Sequence, residues 1–303
     1  MLTTRRRLIA ISAALALLPT AARARQHNSK LWTGQALGAR ASLRIDHPDG
    51  EAIAARVMAE IDRLEDILSL YRANSALARL NRLGHLDNPP FELLECLSLA
   101  SAVNRASGRR FDPTVQPLWV VWAEAAARGT QPDAGAIAAA KGFVGWEKVE
   151  MDSARISLRP GMALTLNGIG QGYVADRVAS LLEAEGLSDI LIDTGELRAL
   201  GGRPIGGDWP VRLEGGEFVG LRQRALATSS PLGTTFDGAG RQGHILDPVS
   251  GTPAPAIWRA VSISAPTAAI ADALSTTACL SNEVTQMKLL VKSFPDCRLE
   301  FVA

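Results

Sequence analysis

Ala163-Leu-Thr-Leu166, Gly168-Ile-Gly-Gln-Gly172, Tyr173–Glu185 closed by Gly186, and Asp189–Asp193 follow one another without a break. They read as strand, glycine-rich turn, helix and strand. This stretch decides the fold. In a doubly wound sheet such a unit recurs, and its glycine turn opens the first crossover of the domain. Here it stands past the middle of the chain, it is not followed by a copy, and its glycines do not fit G-x-G-x-x-G. The expected class is therefore α+β, in one domain over residues 25–303.

The flanks agree. Upstream, Ala36–Ile45 alternates as a strand with Leu37, Ala39, Ala41 and Leu43 on one side. Glu51–Leu70 is an amphipathic helix, with Ile53, Val57, Ile61, Leu64 and Leu68 at three- and four-residue spacing. A second helix runs from about Pro90 to Ser107 and stops at Gly108. Arg109–Trp122 begins as a loop, and Ala134–Lys141 is a short helix. Lys148–Asp152, Ile156–Arg159, Trp209–Leu213, Ala225–Thr228, Ala260–Ser264 and Arg298–Val302 read as short strands. Ala268–Leu280 and Val284–Phe294 read as helices.

The 303 residues are 47% hydrophobic and 21% charged, which excludes disorder and a disulfide-scaffold miniprotein. Beyond residue 24 the chain carries 28 basic against 31 acidic residues, with no Lys or Arg run. A nucleic-acid groove is not expected. Cys96, Cys279 and Cys297 form no CxxC pair and are given no chemistry.

The first 24 residues differ. Arg5, Arg6 and Arg7 precede an uncharged run from Leu8 to Leu18, followed by Pro19 and an A-x-A site at Ala22-Arg23-Ala24. That run is too short for a membrane helix of about 20 residues and suits a signal peptide. Thr4-Arg5-Arg6-Arg7-Leu8-Ile9 resembles a twin-arginine signal; a general secretory signal is the alternative. Either route makes the mature protein periplasmic.

Three constellations can carry chemistry, and each has a plainer reading. The glycine turn at 168–172 can cradle a phosphate at a helix start, or simply make a tight turn. Asp272 and Thr276, four apart on one helix face, offer hard oxygen ligands of the Mg²⁺ type, or merely suit the helix. His244-Ile245-Leu246-Asp247-Pro248 places an imidazole and a carboxylate by a forced turn, where a structural histidine is the alternative. Ser229 and Ser230 lack a G-x-S-x-G elbow, and His27, His47 and His85 lack partners for zinc.

The order of the motifs says more than any one of them. Ala36-Leu-Gly-Ala39, Leu68-Ser-Leu-Tyr71-Arg-Ala-Asn-Ser75 with Leu80-Asn81, Phe111-Asp-Pro-Thr-Val-Gln-Pro-Leu118, Gly168–Asp176, Ile192-Asp-Thr-Gly195, His244–Gly251 and Ala271–Thr276 come in sequence. Together they resemble the ApbE family of FAD:protein FMN transferases, from about Trp32 to the C-terminus. The resemblance implies a T-fold-like α+β architecture. It also implies Mg²⁺-dependent cleavage of FAD, with FMN joined by a phosphoester bond to a Thr or Ser of an exported or membrane-bound acceptor protein and AMP released. By the same resemblance, Asp272, Thr276 and the Gly168 carbonyl are metal ligands. Leu37, Gly38, Ala39, Tyr71, Arg110, Phe111, Asp112, Thr165, Gln171 and Ile245 fall on FAD contacts. His244 or Asp247 is the candidate general base, with a metal-bound water as a third possibility.

Three positions depart from the family pattern. Gln171 stands where Lys or Glu is usual, Gly195-Glu196 where Gly-Gly is usual, and Ser229-Ser230 where Ser-Gly is usual, without the tyrosine-rich stretch that normally follows. An FAD carrier of little activity and an FAD pyrophosphatase are therefore the competing functions.

Overall fold

An apolar stripe on one long helix and a run of short strands need a common cover, and the computed structural model supplies it as one large sheet under a layer of helices. It describes residues 30–45 and 47–303; the arginine-led segment and its Ala22-Arg-Ala24 site lie outside the described residues. In chain order the elements are β1 (Lys30–Ala36), β2 (Ala39–Ile45), α1 (Gly50–Leu68), α2 (Ala76–Leu83), β3 (His85–Asp87), α3 (Phe91–Ala106), α4 (Gln116–Ala127), α5 (Ala134–Lys141), β4 (Glu150–Met151) and β5 (Arg155–Ser157). There follow α6 (Gly170–Ala184), β6 (Ile190–Asp193), β7 (Leu197–Leu200), β8 (Trp209–Arg212), β9 (Phe218–Leu221), β10 (Ala225–Ser229), β11 (Val261–Ala265), α7 (Ala268–Ala278), α8 (Val284–Lys292) and β12 (Arg298–Val302).

Seven strands form one sheet in the order β1-β2-β6-β7-β10-β11-β12, and every pairing in it is antiparallel. Helices and an antiparallel sheet in separate layers are the expected α+β class. The α1 stripe is buried as its spacing predicts: Ile53, Val57, Ile61, Leu64 and Leu68 all join the main core. Helix α1 packs on α6, α6 on α7, and α7 on strands β10 and β11. Two small sheets, β3-β5-β4 and β8-β9, stand outside this arrangement.

Two expectations are corrected. Ala36–Ile45 is not one strand but the turn and second arm of a hairpin, β1 pairing β2 from Lys30↔Ile45 to Ala36↔Ala39. Leu37 and Gly38 take φ of 48° and 86°, the positive pair that a two-residue hairpin loop requires. Ala163–Leu166 is not a sheet strand. The Leu164 backbone is held at both its N–H and carbonyl by the Asn81 side-chain amide (2.7 and 2.8 Å), and Thr165 N–H donates to the Pro113 carbonyl. An amide side chain and a loop carbonyl take the place of a neighbouring strand. The loop after Arg109 is short, since α4 runs on to Ala127.

Candidate active site

The Gly168–Asp176 motif docks helix α7. A Cβ on Gly172 would fall on the Ala268 carbonyl, so the first turn of α6 meets the start of α7 backbone to backbone. The Asp176 carboxylate accepts from the N–H groups of Ala268 (2.8 Å) and Ala269 (2.9 Å), capping α7 from a neighbouring helix. Gly172 N–H donates to Asp272 Oδ2 at 3.2 Å, one turn further along α7. These three contacts hold Asp272 and Thr276 over the glycine turn.

Asp272 is buried, and the Gly172 N–H is its side chain's only hydrogen-bond donor among the described residues. Burial pushes its carboxyl up to about 7, with the Asp176 charge adding to the rise and the Gly172 N–H opposing it. Glu196, also buried, is raised well above the ordinary carboxylate value, first by burial and then by the charge of Asp272. Two neighbouring buried carboxylates, with no cationic side chain paired to Asp272 among the described residues, hold protons that an incoming cation would displace. Glu196 was visible in the sequence only as a departure from the Gly-Gly pattern. Its approach to Asp272 comes with the β6-β7 turn, where the Thr194 hydroxyl donates to the Gln171 carbonyl at the start of α6, and no local spacing reveals it.

Thr276 is half-buried, whereas its neighbours on α7 from Ala271 to Ser275 are buried. Its hydroxyl lies 3.3 Å from where a Cβ on Gly168 would be, and the Phe111 ring lies at the same 3.3 Å. Gly168, Asp272 and Thr276 are thus brought together as expected, with Phe111 beside them. A buried carboxylate lacking a countercharge among the described residues, a hydroxyl and a backbone turn make an all-oxygen donor set. That set fits a hard divalent cation.

Several of the expected FAD contacts gather at the other end of the same turn. Leu37 N–H donates to Glu65 Oε1 at 2.5 Å, the Leu37 side chain lies against Gly170, and the Tyr71 ring lies 3.7 Å from the Cβ position of Gly38. Tyr71 is 60% exposed at the rim of this cluster. The Gln171 amide sits 3.2 Å from the Cβ position of Gly195, beside Ala39 at the same distance. Thr165, half-buried, accepts from Asn167 N–H two residues before this turn.

His244 stands where the loop after β10 folds back, because Gly243 packs on the Pro231 carbonyl two residues beyond Ser229. Its Nδ1 meets the Thr234 carbonyl at 3.0 Å. Burial lowers its pKa, so the ring is neutral at pH 7. A neutral ring bound to a carbonyl through Nδ1 carries its proton there, leaving the Nε2 lone pair as the acceptor. Ile245, next along, is buried in the core.

Three expected site residues are otherwise engaged. The Asp112 carboxylate is buried and accepts from Thr114 N–H, Thr114 Oγ1 and Trp146 N–H, so it ties its own Asp-Pro-Thr loop to residue 146. Asp247 Oδ1 accepts from Val249 N–H at 2.8 Å and organises the turn that Gly251 closes. Arg110 reaches the α7–α8 connection, donating to the Leu280 carbonyl at 3.2 Å. There it lines a cavity of about 300 Å³ with Thr277, Ser281 and Gln286. Of the two candidate bases, Asp247 has one carboxylate oxygen held in its own turn, while the His244 Nε2 has no hydrogen-bond partner among the described residues.

Known proteins share this arrangement. The profile of the ApbE family matches residues 37–299. A Klebsiella pneumoniae protein named FAD:protein FMN transferase is 30% identical over 255 residues, covering 77% of this chain and 72% of its own. The apo flavinyl transferase ApbE of Pseudomonas stutzeri superposes with a TM-score of 0.78 at 28% identity, over 88% of both chains. The Thermotoga maritima ApbE protein, 24% identical, gives the same TM-score of 0.78 and shares the fold, covering 88% of this chain and 91% of its own. With the motifs in order, the α7 site assembled and a profile match over most of its length, this chain belongs to the ApbE family.

Proposed function

We propose that this protein transfers FMN from FAD to a Thr or Ser hydroxyl of a partner protein, releasing AMP, with Mg²⁺ held by Asp272, Thr276 and the Gly168 carbonyl. The observation that carries the reading is the buried Asp272 carboxylate without a countercharge among the described residues, set beside Thr276 and the glycine turn. Bound there, Mg²⁺ would neutralise charge on the FAD pyrophosphate. The chain's own residues do the rest. Tyr71 and the Leu37-Gly38-Ala39 turn receive the flavin side, and Phe111 covers the glycine turn.

In the reaction the acceptor oxygen attacks the FMN phosphorus and the phosphorus–oxygen bond to AMP breaks. AMP leaves with the bridging oxygen, and the hydroxyl proton passes to Nε2 of His244. Gln171, a neutral amide over Gly195, offers the phosphates hydrogen bonds in place of charge. The arginine-led N-terminus and its A-x-A site support export, which makes the acceptor a periplasmic or membrane-bound protein.

The test is incubation of the mature protein with FAD, Mg²⁺ and a candidate exported acceptor, followed by intact-mass measurement. Covalent FMN on one Thr or Ser of the acceptor is the expected result. No adduct on any acceptor, with FAD still bound, favours the carrier function.

A further inference from the structure

Three hydroxyls meet at the rear of the α7 site. Ser229, the last residue of β10, places its Oγ 2.7 Å from Ser275 Oγ and 3.2 Å from Thr276 Oγ1. Ser275 Oγ in turn lies 3.0 Å from the Asp272 backbone carbonyl. That carbonyl can only accept, so the Ser275 proton is committed to it. Ser275 must then accept from Ser229, and Ser229, its single proton spent, must accept from Thr276. Three protons serve three contacts in one direction: Thr276 to Ser229 to Ser275 to the Asp272 carbonyl. Any other direction leaves a contact without a proton.

We infer that Ser229 and Ser275 are positioning residues that fix the rotation of the Thr276 hydroxyl, drawing its proton toward β10 and turning its lone pairs toward Gly168. A free hydroxyl rotates and must give up that freedom when a cation draws its lone pairs inward. Here the ordering is done before any cation arrives. The inference rests on the metal reading of Asp272 and Thr276, and it adds that Ser275, fully buried with its hydroxyl engaged by Ser229 and the Asp272 carbonyl, controls cation affinity without touching the ion. The end of strand β10 at Ser229 is thereby wired to the helix that carries the ligands.

The test is Mn²⁺ titration of the mature protein, with free Mn²⁺ read by electron paramagnetic resonance, for wild type, Ser229→Ala, Ser275→Ala and the double variant. A lost neutral hydrogen bond of about 1 kcal/mol corresponds to about fivefold in Kd. Ser229→Ala is expected to weaken Mn²⁺ about fivefold. Ser275→Ala is expected to weaken it by a comparable factor, because the freed Ser229 proton then turns back on Thr276. The double variant should be no weaker than Ser229→Ala alone, since the relay is already cut. Ser229→Thr keeps the hydroxyl and should restore wild-type affinity, which a purely steric role for the methylene would not predict. Melting temperatures close to wild type confirm that the fold is intact. Ser275→Ala binding Mn²⁺ like wild type, or two effects that add in the double variant, overturns the relay. Wild type that binds no Mn²⁺ overturns the metal reading and the relay together.

Discussion

Replacing Asp272 with Asn should make the metal-free protein more stable at neutral pH while abolishing its response to Mg²⁺. The carboxyl rises from its ordinary 3.8 to about 7, chiefly because burial strips water from the charged form. Its folded-state pKa lies above its unfolded one, so the unfolded chain gives up this proton first. Stability is therefore lost as pH rises from about 4 to about 7, and is flat outside that window. At about 1.36 kcal/mol per pH unit, the ionised group costs on the order of 4 kcal/mol in the empty site, of which about 3 kcal/mol falls between pH 5 and pH 7.5. The amide in the Asp272→Asn variant does not titrate and carries no such cost. Glu196 is raised in part by the Asp272 charge, so the difference between the two curves reports Asp272 together with its effect on Glu196. The assay is denaturant unfolding in EDTA at pH 5 and pH 7.5, repeated with Mg²⁺. The variant should gain about 3 kcal/mol on wild type between the two pH values, and Mg²⁺ should raise only the wild type. Parallel pH curves would show that Asp272 carries no buried charge, and equal stabilisation of both proteins by Mg²⁺ would show that it does not hold the cation.

Other perturbations follow from the same contacts. Gly172→Ala drives a methyl into the Ala268 carbonyl and should cost about 2 kcal/mol or more by denaturant unfolding, with loss of cation binding as α7 shifts. His244→Ala should lower FMN transfer by about 10²–10⁴-fold while FAD binding, measured by calorimetry, stays close to wild type. Because burial lowers the His244 pKa, wild-type turnover at saturating Mg²⁺, where the cation would keep Asp272 ionised, should hold through mildly acidic pH and fall only below the usual imidazole range. Replacing both Arg5 and Arg6 with Lys should retain the precursor in the cytoplasm, visible by fractionation and immunoblotting; normal export would exclude the twin-arginine route.

Much of this architecture was legible where side-chain spacing alone determines the outcome. The α1 stripe buried itself as its periodicity demands, and Asp272 and Thr276 share a helix face because a four-residue step on a helix leaves no other choice. Legibility ended where the backbone departs from residue preference. Leu37 at positive φ is an unusual turn residue, so the hairpin was hidden inside what reads as one strand. Leu164 is extended because the Asn81 amide, 83 residues away, does the work of a strand. Glu196 meets Asp272 only through sheet order. Asp112 and Asp247 both sit before proline, and in each case one carboxylate oxygen serves its own turn, a local role that the Asp-Pro dipeptide itself signals, whereas the Asp112 bond to Trp146 N–H is long-range and unsignalled.

If the α7 site moves FMN from FAD onto a protein hydroxyl, AMP and labelled acceptor must form together. The direct measurement counts AMP released against FMN covalently bound to the acceptor, by chromatography and by flavin fluorescence on a denaturing gel, for wild type and Asp272→Asn with Mg²⁺ present. Equal amounts of AMP and acceptor-bound FMN from wild type, with both lost in the variant, are predicted. AMP without labelled acceptor, or labelling undiminished in Asp272→Asn, would contradict it.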